Sequence, residues 1–308
     1  MCSSSEQVLG ELIARIEPAS AIDALRASER VRQAAPADIA RILAPLAATL
    51  AGAAHSIAPA VDRTIVLVVA ADRKGQQSCA AELIAVARGE AAVCAAARSA
   101  GSAVVAVDVG LFDDGGAPGL PGADPGDAVL SFRIGDGSND TSLGPAMTAE
   151  EARAALQTGF ALVYSLADAG LDVLGLGAID SAAVQSAVAV IDRVVGGGEP
   201  VAALVELGGF DIGVLAGAIA GAASIRVPAV IDGITTAAAA LIASALCEPV
   251  RGYVVAAHSG QLTAHRLALS ALELSPLFPQ GVSRGDGAGA ALALPLIASA
   301  AQVLREIG

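Results

Sequence analysis

Residues 64–70, 104–110 and 173–177 form short, almost continuously apolar runs, Thr-Ile-Val-Leu-Val-Val-Ala being the clearest of them. A strand that does not alternate apolar with polar residues has two apolar faces, and both must be covered. Helical patterns lie between these runs, over residues 79–100, over residues 150–169 behind Thr148 as a cap, and over residues 212–223. Two further strands are expected at residues 229–233 and 253–258. Strands alternating with helices build βαβ units, so the chain is expected to be an α/β protein of three α/β/α layers around a mainly parallel sheet. Residues 6–54, with charged and apolar residues at helical spacing and Pro18 and Pro36 as punctuation, read as a small helical region.

Composition narrows the function. Of the 308 residues 55% are hydrophobic but only 2% aromatic, with no Trp, so the core must be close-packed from small aliphatic side chains. A net charge of −13 opposes binding to nucleic acid or to an anionic membrane surface. The longest uncharged run, residues 287–304, is largely Ala and Gly with Pro295 inside it, and is expected to be a buried helix rather than a membrane span. Cys2, Cys79, Cys94 and Cys247 show no metal-ligand spacing, and no secretory signal precedes them. Reduced thiols in a cytoplasmic protein are expected, with no metal and no cofactor.

In open parallel sheets ligands gather beyond the carboxyl ends of the strands. Asp72, Asp108, Gly175, Gly177, Asp232 and His258 are expected there. Gly175-Leu176-Gly177 reads as a strand end with its turn, able to show backbone N–H groups to a phosphate or equally to permit close packing. Leu207-Gly208-Gly209-Phe210-Asp211 is a second glycine turn, entering a helix. Residues 135–142, which include Ser138, form a polar loop. Asp286, between Gly285 and Gly287 and just before the apolar C-terminal helix, is an exposed acid on a backbone that can approach a ligand closely. It reads either as a catalytic base or as an acidic turn capping a core helix.

Ordered along almost the whole chain, these segments resemble the nicotinate-nucleotide:dimethylbenzimidazole phosphoribosyltransferases. The resemblance rests on Val68-Val69-Ala70-Ala71-Asp72, Val107-Asp108-Val109-Gly110, Pro145-Ala146-Met147-Thr148, Leu207-Gly208-Gly209-Phe210-Asp211-Ile212, Val227-Pro228-Ala229-Val230-Ile231-Asp232-Gly233, His258-Ser259, and above all the run from Gly285-Asp286-Gly287 to Leu294-Pro295-Leu296. It implies a large α/β domain over residues 61–275 and a small helical domain from both chain ends, residues 1–60 and 276–308. It implies transfer of phosphoribose from nicotinate mononucleotide to an aromatic base such as dimethylbenzimidazole, with Asp286 in place of the family's catalytic glutamate. Gly175, Leu176, Gly177, Gly208, Gly209, Ser138, Asp72, Asp232, His258, Gly285 and Gly287 would then line the substrate and phosphate sites.

The pattern also departs from the family. Aligned to Gly-Ile-Gly-Glu-Met-Gly-Ile-Gly-Asn-Thr-Thr, residues 170–180 put Val173 at a second active-site glutamate and Asp180 beside the phosphate. Ala187 stands at the phosphate lysine, and Arg73-Lys74-Gly75 replaces His-Gly-Val. Arg73, Lys74 and Arg284 are the cations able to compensate. These losses raise a second expectation: an impaired paralogue that supports a heterodimer or only binds ligand, in place of an active enzyme working as a homodimer.

Overall fold

The computed structural model describes residues 3–112, 128–179 and 183–307. Cys2, Asp180 and the middle of the polar loop after the second strand lie outside the described residues. In chain order the elements are α1 (Ser3–Ile13), α2 (Ala21–Ala34), α3 (Ala37–Ala54), β1 (Thr64–Ala71), α4 (Ala80–Ala87), α5 (Ala92–Ser99), β2 (Ala103–Gly110), β3 (Val129–Ser131) and α6 (Ala149–Ala167). They continue as β4 (Val173–Ile179), α7 (Ala183–Val195), α8 (Pro200–Leu207), α9 (Phe210–Ser224), β5 (Ala229–Ile231), α10 (Gly233–Leu246), a 3-10 turn (Glu248–Tyr253), β6 (Val254–Ala256), α11 (Thr263–Ala271) and α12 (Ala288–Ile307).

Among the described residues one sheet forms, in the order β3-β2-β1-β4-β5-β6, and every neighbouring pair is parallel. Side chains along β1 alternate between the two faces. Leu67, Val69 and Ala71 join a core with α6, α9 and α10, whereas Val66, Val68 and Ala70 join a core with α3, α4, α5 and α12. The continuous apolar runs are thus explained by helices on both sides. The chain-end helices α2, α3 and α12 pack on one another, and their apolar cluster runs without a break into the sheet. Among the described residues two helices, Ala37–Ala54 and Ala288–Glu306, are long and apolar enough to cross a membrane, but about half of each is buried in this core, at 50% and 56%.

Three local expectations are corrected. The single helix over residues 79–100 is two helices, because Gly89 takes the left-handed conformation at φ 76°. Its N–H bonds Val86 O, and Glu90 N–H bonds Ala85 O, which together close a Schellman cap. Within the loop expected over residues 112–148 lies β3, which pairs Val129 with Ala106 and is too short to leave a periodic signal. The expected strand over residues 253–258 begins with Tyr253 at the end of a 3-10 turn and keeps only Val254–Ala256 as strand.

Helices α6 and α9 meet backbone to backbone. A Cβ at Gly217 would run into the carbonyl of Leu156, and one at Gly159 into that of Val214. Neither obstacle is a movable side-chain tip. Gly217→Ala is therefore expected to lower unfolding free energy in urea by about 1–3 kcal/mol. Gly10→Ala in α1, where nothing stands within 4 Å of the new carbon, is expected to raise it by about 0.5–1 kcal/mol.

Candidate active site

The sheet order places β1 beside β4 while their following segments leave to opposite sides, which makes the carboxyl ends of these two strands the switch point of the fold. The end of β1 is organised by Asp72, which is buried. Its carboxylate accepts from Ser78 Oγ at 2.6 Å, Cys79 N–H at 2.8 Å and Phe112 N–H at 2.8 Å, binding the loops after β1 and β2 to one point. Asp108 does the same at the end of β2, accepting from Gly110 N–H and Leu111 N–H at 2.8 Å each and pairing with Arg133 at 3.4 Å. Ser138 donates its N–H to Asp72 O at 3.0 Å and stands opposite Arg73 in an isolated parallel bridge.

Arg73 follows Asp72 into the interior. Its guanidinium lies 3.2 Å from Asp211 in the first turn of α9 and donates to Gly208 O at 2.6 Å, with both partners of the ion pair almost wholly buried. The glycine turn that the resemblance assigns to the substrate and phosphate sites is occupied from within the protein: Gly208 N–H bonds Leu204 O, its carbonyl takes Arg73, and a Cβ at Gly209 would collide with the guanidinium. Arg73 is consequently a structural cation. Lys74 is exposed and donates to Asn139 Oδ1 at 3.0 Å, and Arg284 is exposed on the glycine loop.

On the other side of the switch point stands Asp232, at the end of β5, with 0% exposure. Its Oδ1 is 2.7 Å from His258 Nε2, and its Oδ2 accepts from Gly287 N–H at 2.9 Å and Gly289 N–H at 3.1 Å. Ser283 Oγ lies 2.8 and 2.7 Å from the two oxygens, sharing its proton between them, and accepts from Gly285 N–H at 2.9 Å. Gly285 O in turn receives Ala178 N–H from β4 at 2.8 Å. The loop so held carries Asp286, half-buried, with Oδ1 accepting from Ala288 N–H at 3.1 Å at the start of α12. Cys94 is close enough for the Asp286 charge to add to the effect of burial, and together they push its thiol up from the ordinary value.

Behind His258 lies His265, whose ring meets it edge-on at 5.7 Å. Burial first, and then the neighbouring His258, press the His265 pKa down to about 4 against a smaller opposing pull from Asp232. It is neutral at physiological pH, and its Nδ1 accepts from Gly260 N–H at 2.9 Å. Among the described residues no group of three His, Cys, Asp or Glu side chains could hold a metal ion.

The strand-end reading of Gly175-Leu176-Gly177 is corrected. All three are buried inside β4, where Gly175 pairs with Val66 and Gly177 with Val68. A Cβ at Gly177 would run into the backbone of Asp286 and Gly287, so this glycine admits the Asp286 loop onto the strand. The alignment of Val173 with a second active-site glutamate is corrected with it. Val173 is the first residue of β4, opposite Thr64 at the amino edge, and is wholly buried there. Ala187, on α7, is wholly buried in the core under the sheet. The sequence analysis missed Ser283 and Asp211 as site-building residues; the only signal was their position, beside a glycine loop and in a helix's first turn.

The buried pair yields a stability test. Arg73→Met leaves the Asp211 carboxylate uncompensated in the interior and is expected to cost about 3–5 kcal/mol in chemical denaturation. The double substitution Arg73→Met/Asp211→Leu removes both charges and is expected to recover most of that loss.

Comparison with known proteins agrees with this fold. A family model described as phosphoribosyltransferase matches residues 18–198 and 178–308. The nicotinate-nucleotide–dimethylbenzimidazole phosphoribosyltransferase of Roseiflexus sp. (strain RS-1) is 32% identical over 97% of this chain and 96% of its own. The protein of the same description from Syntrophotalea carbinolica is 33% identical over 97% and 96%. The crystal structure of the Thermus thermophilus enzyme of that name superposes with a TM-score of 0.81 at 27% identity, covering 92% of this chain and 96% of that one. Matched over most of its length by family, relatives and fold, the chain belongs to the nicotinate-nucleotide–dimethylbenzimidazole phosphoribosyltransferase family.

Proposed function

We propose that this protein transfers phosphoribose from nicotinate mononucleotide to a ring nitrogen of an aromatic base of the dimethylbenzimidazole type, with Asp286 as general base. The observation that carries this reading is the placement of Asp286: a half-buried carboxylate between two glycines of positive φ, at the switch point of the sheet, in a chain that matches its relatives over nearly their whole length. In the reaction the acceptor's nitrogen lone pair forms the new bond to ribose C1′. The bond from C1′ to nicotinate breaks, and its electron pair returns to the pyridinium ring and neutralises it. The acceptor's ring proton passes to the Asp286 carboxylate, which also offsets the positive charge that grows on the ribose in the transition state.

An aspartate reaches one methylene less far than the family's glutamate, so the acceptor must sit closer to the loop. The flanking glycines permit that approach, since neither Gly285 nor Gly287 presents a side chain to the substrate. Lys74 and Arg284, both exposed, supply positive charge for the ribotide phosphate in place of Arg73, which is committed to Asp211.

Purified protein supplied with nicotinate mononucleotide and dimethylbenzimidazole is expected to release nicotinate. Asp286→Asn is expected to lower kcat by about 10²–10⁴-fold in a folded sample. Absence of nicotinate release with dimethylbenzimidazole, benzimidazole, adenine and phenol alike would overturn the reading. It also carries a cytoplasmic, self-associating enzyme. Light scattering is expected to give twice the 30.0 kDa of one chain, and a strictly monomeric sample would count against the dimer.

A further inference from the structure

Asp286 sits on a swivel. Gly285 and Gly287, on either side of it, have φ of 98° and 97°, and a backbone with glycine at both neighbours has little intrinsic preference for where the carboxylate between them points. Something outside the loop must therefore set its position.

Besides the Ala178 N–H that reaches Gly285 O, the hydrogen bonds that hold the loop to the rest of the fold converge on one side chain, Asp232. On the C-terminal side of Asp286, the N–H groups of Gly287 and Gly289 both donate to Asp232 Oδ2. On the N-terminal side, Gly285 N–H donates to Ser283 Oγ, and that hydroxyl is itself held by Asp232. His258 Nε2 occupies Oδ1, which keeps the carboxylate from rotating. Space is as restricted as the hydrogen bonding: a Cβ at Gly233 would press on Gly285 Cα at 2.6 Å, and one at Gly289 would strike Asp232 and lie 2.9 Å from His258 Cδ2. With its oxygens taken by four groups of the protein and no exposed surface, Asp232 has nothing left to offer a substrate.

Resting on the assignment of Asp286 as base, we infer that Asp232 is a positioning residue for that base, with Ser283 and His258 as its supports, and not a substrate-binding residue. It acts by fixing the peptides on both sides of Asp286, so its effect belongs to the catalytic step and not to binding of the ribotide. A displacement of a catalytic group by about 1 Å can cost on the order of 10²-fold in rate.

The experiment compares Asp232→Asn, Ser283→Ala, Asp286→Asn and the two double variants with Asp286→Asn, each checked for folding by circular dichroism and thermal unfolding. Asp232→Asn keeps the shape but can no longer accept at both oxygens. It is expected to lower kcat about 10–100-fold with KM for nicotinate mononucleotide changed less than about threefold. Ser283→Ala, the milder change, is expected to lower kcat about 3–10-fold in the same manner. On the Asp286→Asn background neither substitution is expected to cause further loss, because a positioning residue has no effect once the group it positions is gone. Losses that multiply, or a raised KM with unchanged kcat, would overturn the inference, and Ser283→Ala carries the test if Asp232→Asn does not fold. If Asp286→Asn itself retains full activity, it is the assignment of the base that fails.

Discussion

A carboxylate with no access to water is tolerable only when donors surround it, and Asp232 has four. That requirement shapes the carboxyl edge of the fold. It draws the segment from Ser283 to Gly289 onto the ends of β4 and β5, brings His258 in from the segment after β6, and sets where α12 begins. From there α12 runs back across the sheet and covers the central strands, with Ala290 against Gly175 and Leu294 in the shared core. The buried charge and the closing helix of the sheet are thus one arrangement.

A second buried charge holds the other side of the switch point. Arg73 leaves the end of β1 and meets Asp211 at the start of α9, so the first turn of that helix is fixed to the strand that precedes it by more than a hundred residues. Between the two anchors, the Cys79 thiol reaches Ile179 O at 3.4 Å, and Ala178 N–H reaches Gly285 O. Among the described residues, the segments after β1 and β2 and the glycine loop before α12 are thus tied to strand ends by hydrogen bonds satisfied within the protein. This leaves Asp286, on its glycine swivel, as the half-buried acid of the glycine loop.

The near absence of aromatic side chains acquires a physical meaning in this frame. Backbones approach where glycine faces backbone, at Gly159 and Gly217 between α6 and α9, and at Gly177 under the Asp286 loop. No ring fits at those points, and the buried rings of the same core, Phe160 and Phe210, pack against other glycines, Gly221 and Gly110. The same crowding explains why the glycines of β4 are packing residues within the strand, where a phosphate turn was one of two readings of the sequence.

The apolar runs, with no alternation to spare a face for water, were sufficient by themselves to determine a parallel sheet covered on both sides. The order of motifs ending in Gly285-Asp286-Gly287 was likewise sufficient to mark the family. What remained illegible was which polar residues serve a ligand and which serve the fold, because Asp72, Asp232 and Asp286 look alike as acids beside strand ends or glycines. Only the tertiary structure told their surroundings apart, through the donors that reach each carboxylate among the described residues: Ser78, Cys79 and Phe112 on Asp72, Ser283, Gly287, Gly289 and His258 on Asp232, and the neighbouring Ala288 on Asp286. Strand register was decided there too, because an apolar run carries no mark of its own edges: Val173 pairs with Thr64 at the amino edge of the sheet, which leaves Gly175 and Gly177 inside β4.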